Sequence, residues 1–144
     1  MPEPRVTARQ RRTVAARARE CCEYCRSQAR FAMQSFSTEH IMPRGRGGAT
    51  ALDNLALSCQ GCNNHKHLAM TGRDPATRET VPLYHPRRQR WSDHFEWSAD
   101  FTRILGLTPT GRATVETLHL NREKLVNLRR VLYAMGEHPP KEEE

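Results

Sequence analysis

The sequence is short of apolar material. Of its 144 residues, 37% are hydrophobic types and 6% aromatic. That excludes a large continuous core and favours a small fold needing an added staple, such as a metal. Long hydrophobic runs are missing too. No stretch approaches the ~20 apolar residues of a membrane-spanning helix, so no membrane partner is expected. The N-terminal MPEPRVTARQRRTVAARARE has arginines but no apolar segment behind them. It does not read as a secretory signal, and a cytoplasmic location is expected. No internal repeat is visible. Acidic residues are comparatively few, 16 against 23 Lys and Arg, for a net charge of +7. A surplus of this size points to a polyanionic partner, most often nucleic acid. A merely soluble basic surface is the plainer alternative.

Five cysteines in a reducing compartment argue against a disulfide framework and for metal binding. Four of them form two C-x-x-C pairs, Cys22–Cys25 and Cys59–Cys62. Each turn of this kind points two thiolates at one tetrahedral ion. Two turns complete a closed, structural Zn2+ site, whose binding energy adds to folding. A redox motif would need only one pair. Cys21 is left as a spare, buried residue. Simple zinc ribbons place ~15–20 residues between their pairs. Here residues 26–58 intervene, so something is inserted between the halves of the zinc site.

The rest of the chain reads as follows. Residues 1–20 hold an arginine-rich N-terminal helix over 5–20, with a thin apolar side of Val6, Val14 and Ala18. It serves either as a solvated face or as a phosphate contact. Residues 30–41 look extended, with Phe36, Thr38 and His40 on one face and Ser37 and Glu39 on the other. PRGRGG breaks that strand into a loop. Residues 53–59 form a second short strand, and NNHKHLAM a short helix ending near Gly72. Residues 73–110 look irregular because Pro75, Pro82 and Pro86 interrupt them. Residues 112–135 are the best helical region, with Asn121 a candidate cap inside it and Gly136 a stop. Residues 137–144 read as a disordered tail. The domains expected are thus the helix 1–20, a core 21–72, an extension 73–136 and the tail.

CEYC, EHIMPRGRGG and DNLALSCQGCNNHK, in this order, resemble the HNH endonuclease family, in the branch whose ββα-metal (His-Me finger) core is stapled by four cysteines. The resemblance covers about residues 20–68. DPATRETVPLYHPRRQRWSDHFEW and GLTPTGRATVETLHLNREKL also look like an extension common in bacterial members. The fold class implied is α+β: a ββα-metal core with structural zinc, flanked by an N-terminal helix and a helical C-terminal extension.

The resemblance implies a role for each matched position. His40 would be the general base that takes a proton from the attacking water. Asn54 would hold the loop and orient His40. Asn63 would help ligate a catalytic Mg2+ or Mn2+, and Glu39 would be the charged ligand of that ion. The activity implied is metal-dependent hydrolysis of DNA, leaving a 5′-phosphate and a 3′-hydroxyl.

The residue types suit that chemistry. A neutral imidazole with a pKa near ~6.5 is a fitting base at neutral pH. A hard cation on oxygen ligands neutralises charge on the phosphate and leaving oxygen. Each position keeps a plainer alternative. Asn54 also reads as a turn residue, and Asn63 as a helix N-cap. His65 is the rival metal ligand. Arg44, Arg46 and Lys66 are candidate phosphate contacts or solvated charges. Glu39 and His40 are adjacent, so a regular strand would send them to opposite faces, and a local distortion at the strand end is expected. Arg87, Arg88 and Arg90 form a second basic cluster, and Trp91, Phe95 and Trp97 are expected to pin the extension onto the domain. The alternative function is a non-catalytic, zinc-stapled nucleic-acid-binding module. A protein-interaction domain built on the last leucine-bearing helix is a third. Monomer and homodimer both stand.

Overall fold

The computed structural model describes residues 5–141. The first helix, α1 (Ala8–Arg17), begins where Thr7 and Gln10 satisfy each other's backbone amides in a capping box. Most of it is exposed, but Val14 is buried with Ala18 against Leu55 and Leu57. Those two leucines belong to the central hairpin. There β1 (Ser37–His40) pairs antiparallel with β2 (Leu55–Ser58), placing His40 opposite Leu55 and Glu39 opposite Ala56. The helix α2 (Gln60–Lys66) follows at once, because Cys59 Sγ accepts the amide of Cys62 and caps it. The ββα unit expected for residues 21–72 is therefore present, and the fold is α+β. The first strand is shorter than expected, and a single 3-10 turn occupies Ala29–Phe31. The helix α2 starts earlier and ends at Lys66. His67 adopts a left-handed backbone (φ 47°) there, and Gly72 lies in a strand.

Residues 73–110 are not irregular. They contain two hairpins of three-residue strands, β3 (Thr71–Arg73) with β4 (Thr80–Pro82) and β5 (Phe95–Trp97) with β6 (Ile104–Gly106). Strands this short carry no readable alternation, and Pro82 sits at the end of an edge strand, where no amide is needed. The single-turn helix α3 (Trp91–His94) precedes β5. The expected helical region 112–135 is two helices, α4 (Pro109–Thr117), capped by Thr108, and α5 (Glu123–Ala134). Asn121 does not cap α5. Its side chain clasps both backbone groups of Ile104 at 2.7 and 2.9 Å. Gly136, at φ +74°, does end α5. Within the expected tail, Glu137 and His138 are packed: the Glu137 carbonyl accepts from Gln28, and buried His138 bonds the Phe101 carbonyl. The last three residues of that tail, and the first four of the chain, lie outside the described residues.

The main core explains this. Cys22, Cys25, Cys59 and Cys62 are buried in one cluster with Tyr24, Tyr84, Trp91, Phe95, Ile104, Leu118 and Leu120. The extension thus encloses the cysteines, and each large side chain so buried stabilises by roughly 1.5–3 kcal/mol. Trp91 Nε1–H donates to the carbonyl of Tyr24, inside the first cysteine turn, at 2.9 Å. Buried Asp74 receives two bonds of 2.9 Å from Arg112 and so ties the β3–β4 hairpin to α4. Among the described residues no helix is long and apolar enough to cross a membrane.

Candidate metal centre and active site

The two C-x-x-C turns meet. The four Sγ atoms of Cys22, Cys25, Cys59 and Cys62 all lie within 4.8 Å of one another, with Cys25 and Cys59 at 3.6 Å. A tetrahedral ion with ~2.3 Å bonds to sulfur would separate its ligands by about 3.8 Å, so the set fits zinc. The amides of Cys25 and Cys62 point at the sulfurs of Cys22 and Cys59. Hydrogen bonding from Cys22 lowers the pKa of Cys25 and Cys59, whereas burial raises that of Cys22. Buried thiols this close cannot all ionise unless a cation is held between them. Cys21 stays apart, donating to the Arg19 carbonyl.

One partner of this centre was not legible in the motif. Arg122, just before α5, brings its guanidinium to 3.4 Å from Cys59 Sγ and 3.7 Å from Cys62 Sγ. Burial works against its charge, the cysteines sustain it, and its pKa lies above the ordinary value. Gly61 makes room for it: a Cβ there would stand 2.4 Å from the Arg122 Nη2.

The other cluster lies at the end of the hairpin. His40 closes β1, and its Nε2 is hydrogen-bonded to Thr50 Oγ1 at 2.8 Å. The intervening loop is held by Asn54. Its Oδ1 accepts from the Met42 amide at 2.9 Å, and its Nδ2 donates to the carbonyls of Met42 and Ala49 at 3.1 and 2.9 Å. The Ile41 amide bonds the Asn54 carbonyl. Asn54 thus fixes the backbone on both sides of the turn that follows His40. Gly48 is required where the loop closes, since a Cβ would stand 1.8 Å from the Met42 carbonyl oxygen. Thr50 is in turn braced from α1, its carbonyl accepting from Gln10 at 3.3 Å. Gly48 and Thr50 were not singled out by sequence, because their partners lie across the loop.

Glu39 faces the opposite way, as the unbroken register requires. The expected distortion of the ladder is not found. Oε1 of Glu39 is buried and, like the nearby hydroxyl of Tyr24, makes no hydrogen bond of standard geometry. Burial raises its pKa to about 7, against the pull of the Lys66 ammonium. Lys66, expected on the surface, is 2% exposed, and its ammonium donates to the Ile41 carbonyl at 2.9 Å. It is turned inward beside Glu39.

The face of α2 that meets Glu39 is therefore the Lys66 face. At about 100° per residue, Asn63 lies about 60° from Lys66 and about 160° from His65. His65 is exposed and stacks on His119, ring centroids 4.3 Å apart. Desolvation first, then His119 and Arg122, lowers its pKa. On an ideal helix Asn63 is thus nearer the Lys66 face than His65 is, and His65 lies beside His119 and Arg122. Arg44 and Arg46 form a single 3-10 turn in the loop, Arg46 exposed and Arg44 half-buried.

Residues 22–68 match the family model described as HNH endonuclease. Over this third of the chain the protein is similar to the HNH endonuclease family. The match begins at the first zinc-site cysteine and ends two residues beyond α2. It contains the whole hairpin, the Asn54-clasped loop and both cysteine turns, and spans roughly a third of the chain. It ties the chain to nucleic-acid chemistry at the level of the family. No curated protein and no solved structure matches the chain significantly.

Proposed function

We propose that the protein is a metal-dependent endonuclease that hydrolyses DNA phosphodiester bonds. The observation that carries this reading is His40: a histidine at a strand end, fixed at Nε2 by Thr50 and framed by the Asn54-clasped loop, within the HNH segment. The ring nitrogen of His40 that carries no proton is its basic atom. His40 takes a proton from water there as the water oxygen bonds phosphorus. The bond from phosphorus to the 3′-oxygen breaks on the far side, and that oxygen takes a proton from solvent. The 5′-phosphate and 3′-hydroxyl follow.

Glu39 and Asn63 would hold Mg2+ or Mn2+ on the α2 side of the strand end, opposite the side from which His40 approaches, and the ion would supply charge neutralisation at the phosphate and leaving oxygen. The fit rests on the buried Oε1 of Glu39, which makes no hydrogen bond of standard geometry, and on the helix face Asn63 shares with Lys66. Arg44 and Arg46 contact neighbouring phosphates. Lys66 acts indirectly, by balancing charge beside Glu39. In this reading residues 21–72 carry the chemistry and 73–136 support it, with zinc as the staple.

The test is nicking of supercoiled plasmid with Mg2+ or Mn2+ by the wild-type protein and by His40→Ala. Nicking by the wild type alone is expected. No wild-type nicking across metals and salt concentrations, with DNA binding intact, would favour a non-catalytic zinc-stapled module.

A further inference from the structure

The charges of α1 are all positive. Arg9, Arg11 and Arg12 are exposed, and no Asp or Glu lies between Ala8 and Arg17. Among the described residues none of the three takes part in an ion pair. Two carboxylates lie beside the helix. Asp53 faces Arg17, and Glu20 lines a cavity together with Arg11. Arg9 and Arg12, one turn apart, are the cations of the outer face. At about 100° per residue they lie about 140° and 160° around the helix from buried Val14.

The helix is pinned to the hairpin and to the loop after His40. Val14 packs on Leu55 and Leu57, and Arg17 donates to the carbonyls of Leu52 and Leu55. Gln10 reaches the carbonyl of Thr50, whose hydroxyl meets His40 Nε2. Arg9 adjoins Gln10 in sequence, so the basic row starts beside the loop that carries exposed Arg46. Stability does not explain this row. Like charges three residues apart repel, and cations near a helix N-terminus oppose its dipole. The first turn of α1 has no acidic residue, and its cap is the neutral pair Thr7 and Gln10. A row of backbone phosphates supplies the missing anions, and the guanidinium fork suits them.

We propose that the outer face of α1, centred on Arg9 and Arg12, is a docking surface for the phosphodiester backbone of duplex DNA. The proposal rests on the endonuclease reading for its ligand, but it concerns binding rather than cleavage. Contacts of this kind add affinity and fix the duplex against the protein without reading its sequence. Val14, Gln10 and Arg17 hold the surface in place against the hairpin that ends in His40.

The experiment is fluorescence anisotropy of a labelled DNA duplex without divalent metal, as a function of salt. Zinc-loaded wild type is compared with two double variants. One is Arg9→Gln with Arg12→Gln. The other, Arg73→Gln with Arg78→Gln, removes the same charge from exposed positions of the β3–β4 hairpin. Zinc content and thermal melting establish that each is folded. Glutamine is a good helix former, so the melting temperature of the α1 variant should hold or rise as a like-charge pair is removed. Its DNA affinity should fall about tenfold, with the slope of log affinity against log salt reduced by about 2. The hairpin variant should lose less than about threefold. Equal losses in the two variants, or none in the α1 variant, would overturn the surface and leave the nuclease reading standing. A fall in melting temperature that accounts for the weaker binding would make the arginines structural and overturn it too. Failure of the wild type to bind DNA at low salt would overturn both readings. Binding that depends on Arg9 and Arg12, in a wild type that nicks no plasmid, would uphold the surface and remove the nuclease. An RNA duplex of the same sequence that competes better than DNA would overturn the assignment to DNA.

Discussion

The guanidinium of Arg122 stands 3.4 Å from the sulfur of Cys59, so the start of the last helix touches a ligand of the first half's metal site. A closed site of four thiolates and one Zn2+ carries a net charge of about −2. This one is buried in an apolar cluster, where such a charge needs a counter-charge. Arg122 supplies it. Changes to outer-shell partners cost roughly 10–100-fold in metal affinity. Arg122→Ala should therefore lose zinc to a chelator about that much more readily, measured with a colorimetric indicator, while Arg122→Lys recovers only part. Equal zinc retention in Arg122→Ala and wild type would contradict the role.

Gly48→Ala tests the loop clasp. Its Cβ would collide with the Met42 carbonyl, a backbone atom that cannot swing away. Overpacking of this kind costs roughly 1–3 kcal/mol. Urea denaturation should show a loss in that range. Nicking should fall further than stability accounts for, since the displaced loop also carries Thr50. A variant as stable and active as wild type would show that the loop closes in another way.

Thr50→Val keeps the shape and removes the oxygen that meets His40 Nε2. The cleavage rate should drop by about 10–100-fold, part of what a general base contributes. DNA affinity should hold, and the acid limb of the pH–rate profile should move. An unchanged rate and profile would leave Thr50 with no part in orienting the base.

Some of this was legible in the sequence, for a physical reason. Each C-x-x-C pair is a short-range spacing that survives without coordinates, and His40 and Asn54 were expected from the family resemblance. The ββα order was expected from the same resemblance, and the arginine-rich helix from the alanine content and periodicity of its own residues. The rest depends on partners far along the chain. Lys66 reads as a surface cation until Ile41 and Glu39 are placed opposite it. Arg122 is 60 residues from Cys62, and nothing near it in sequence signals a sulfur. Residues 73–110 look broken by proline because three-residue strands show no period. Their order comes from Asp74–Arg112 and from Trp91 on Tyr24. Glu137 and His138 looked like tail because their anchors, Gln28 and Phe101, lie elsewhere.

His138 gives the fold a pH dependence. It is buried, bonded to the Phe101 carbonyl and set edge-on to Trp97, and burial lowers its pKa below the ordinary histidine value. The unfolded chain therefore takes up this proton first as pH falls. The contribution is full above the ordinary value of about 6.5 and is lost as pH falls through the lowered one. Between about pH 7 and pH 5 the melting temperature of the zinc-loaded wild type should fall more steeply than that of His138→Gln. Parallel curves would remove His138 from the pH response.

The most direct test of the account is a single-turnover measurement of DNA cleavage by wild type and His40→Ala, with DNA affinity measured on the same preparations. The account predicts a rate lower by about 10²–10⁴-fold for His40→Ala, with affinity and zinc content unchanged. Equal rates, or a loss explained wholly by weaker binding, would contradict His40 as the base.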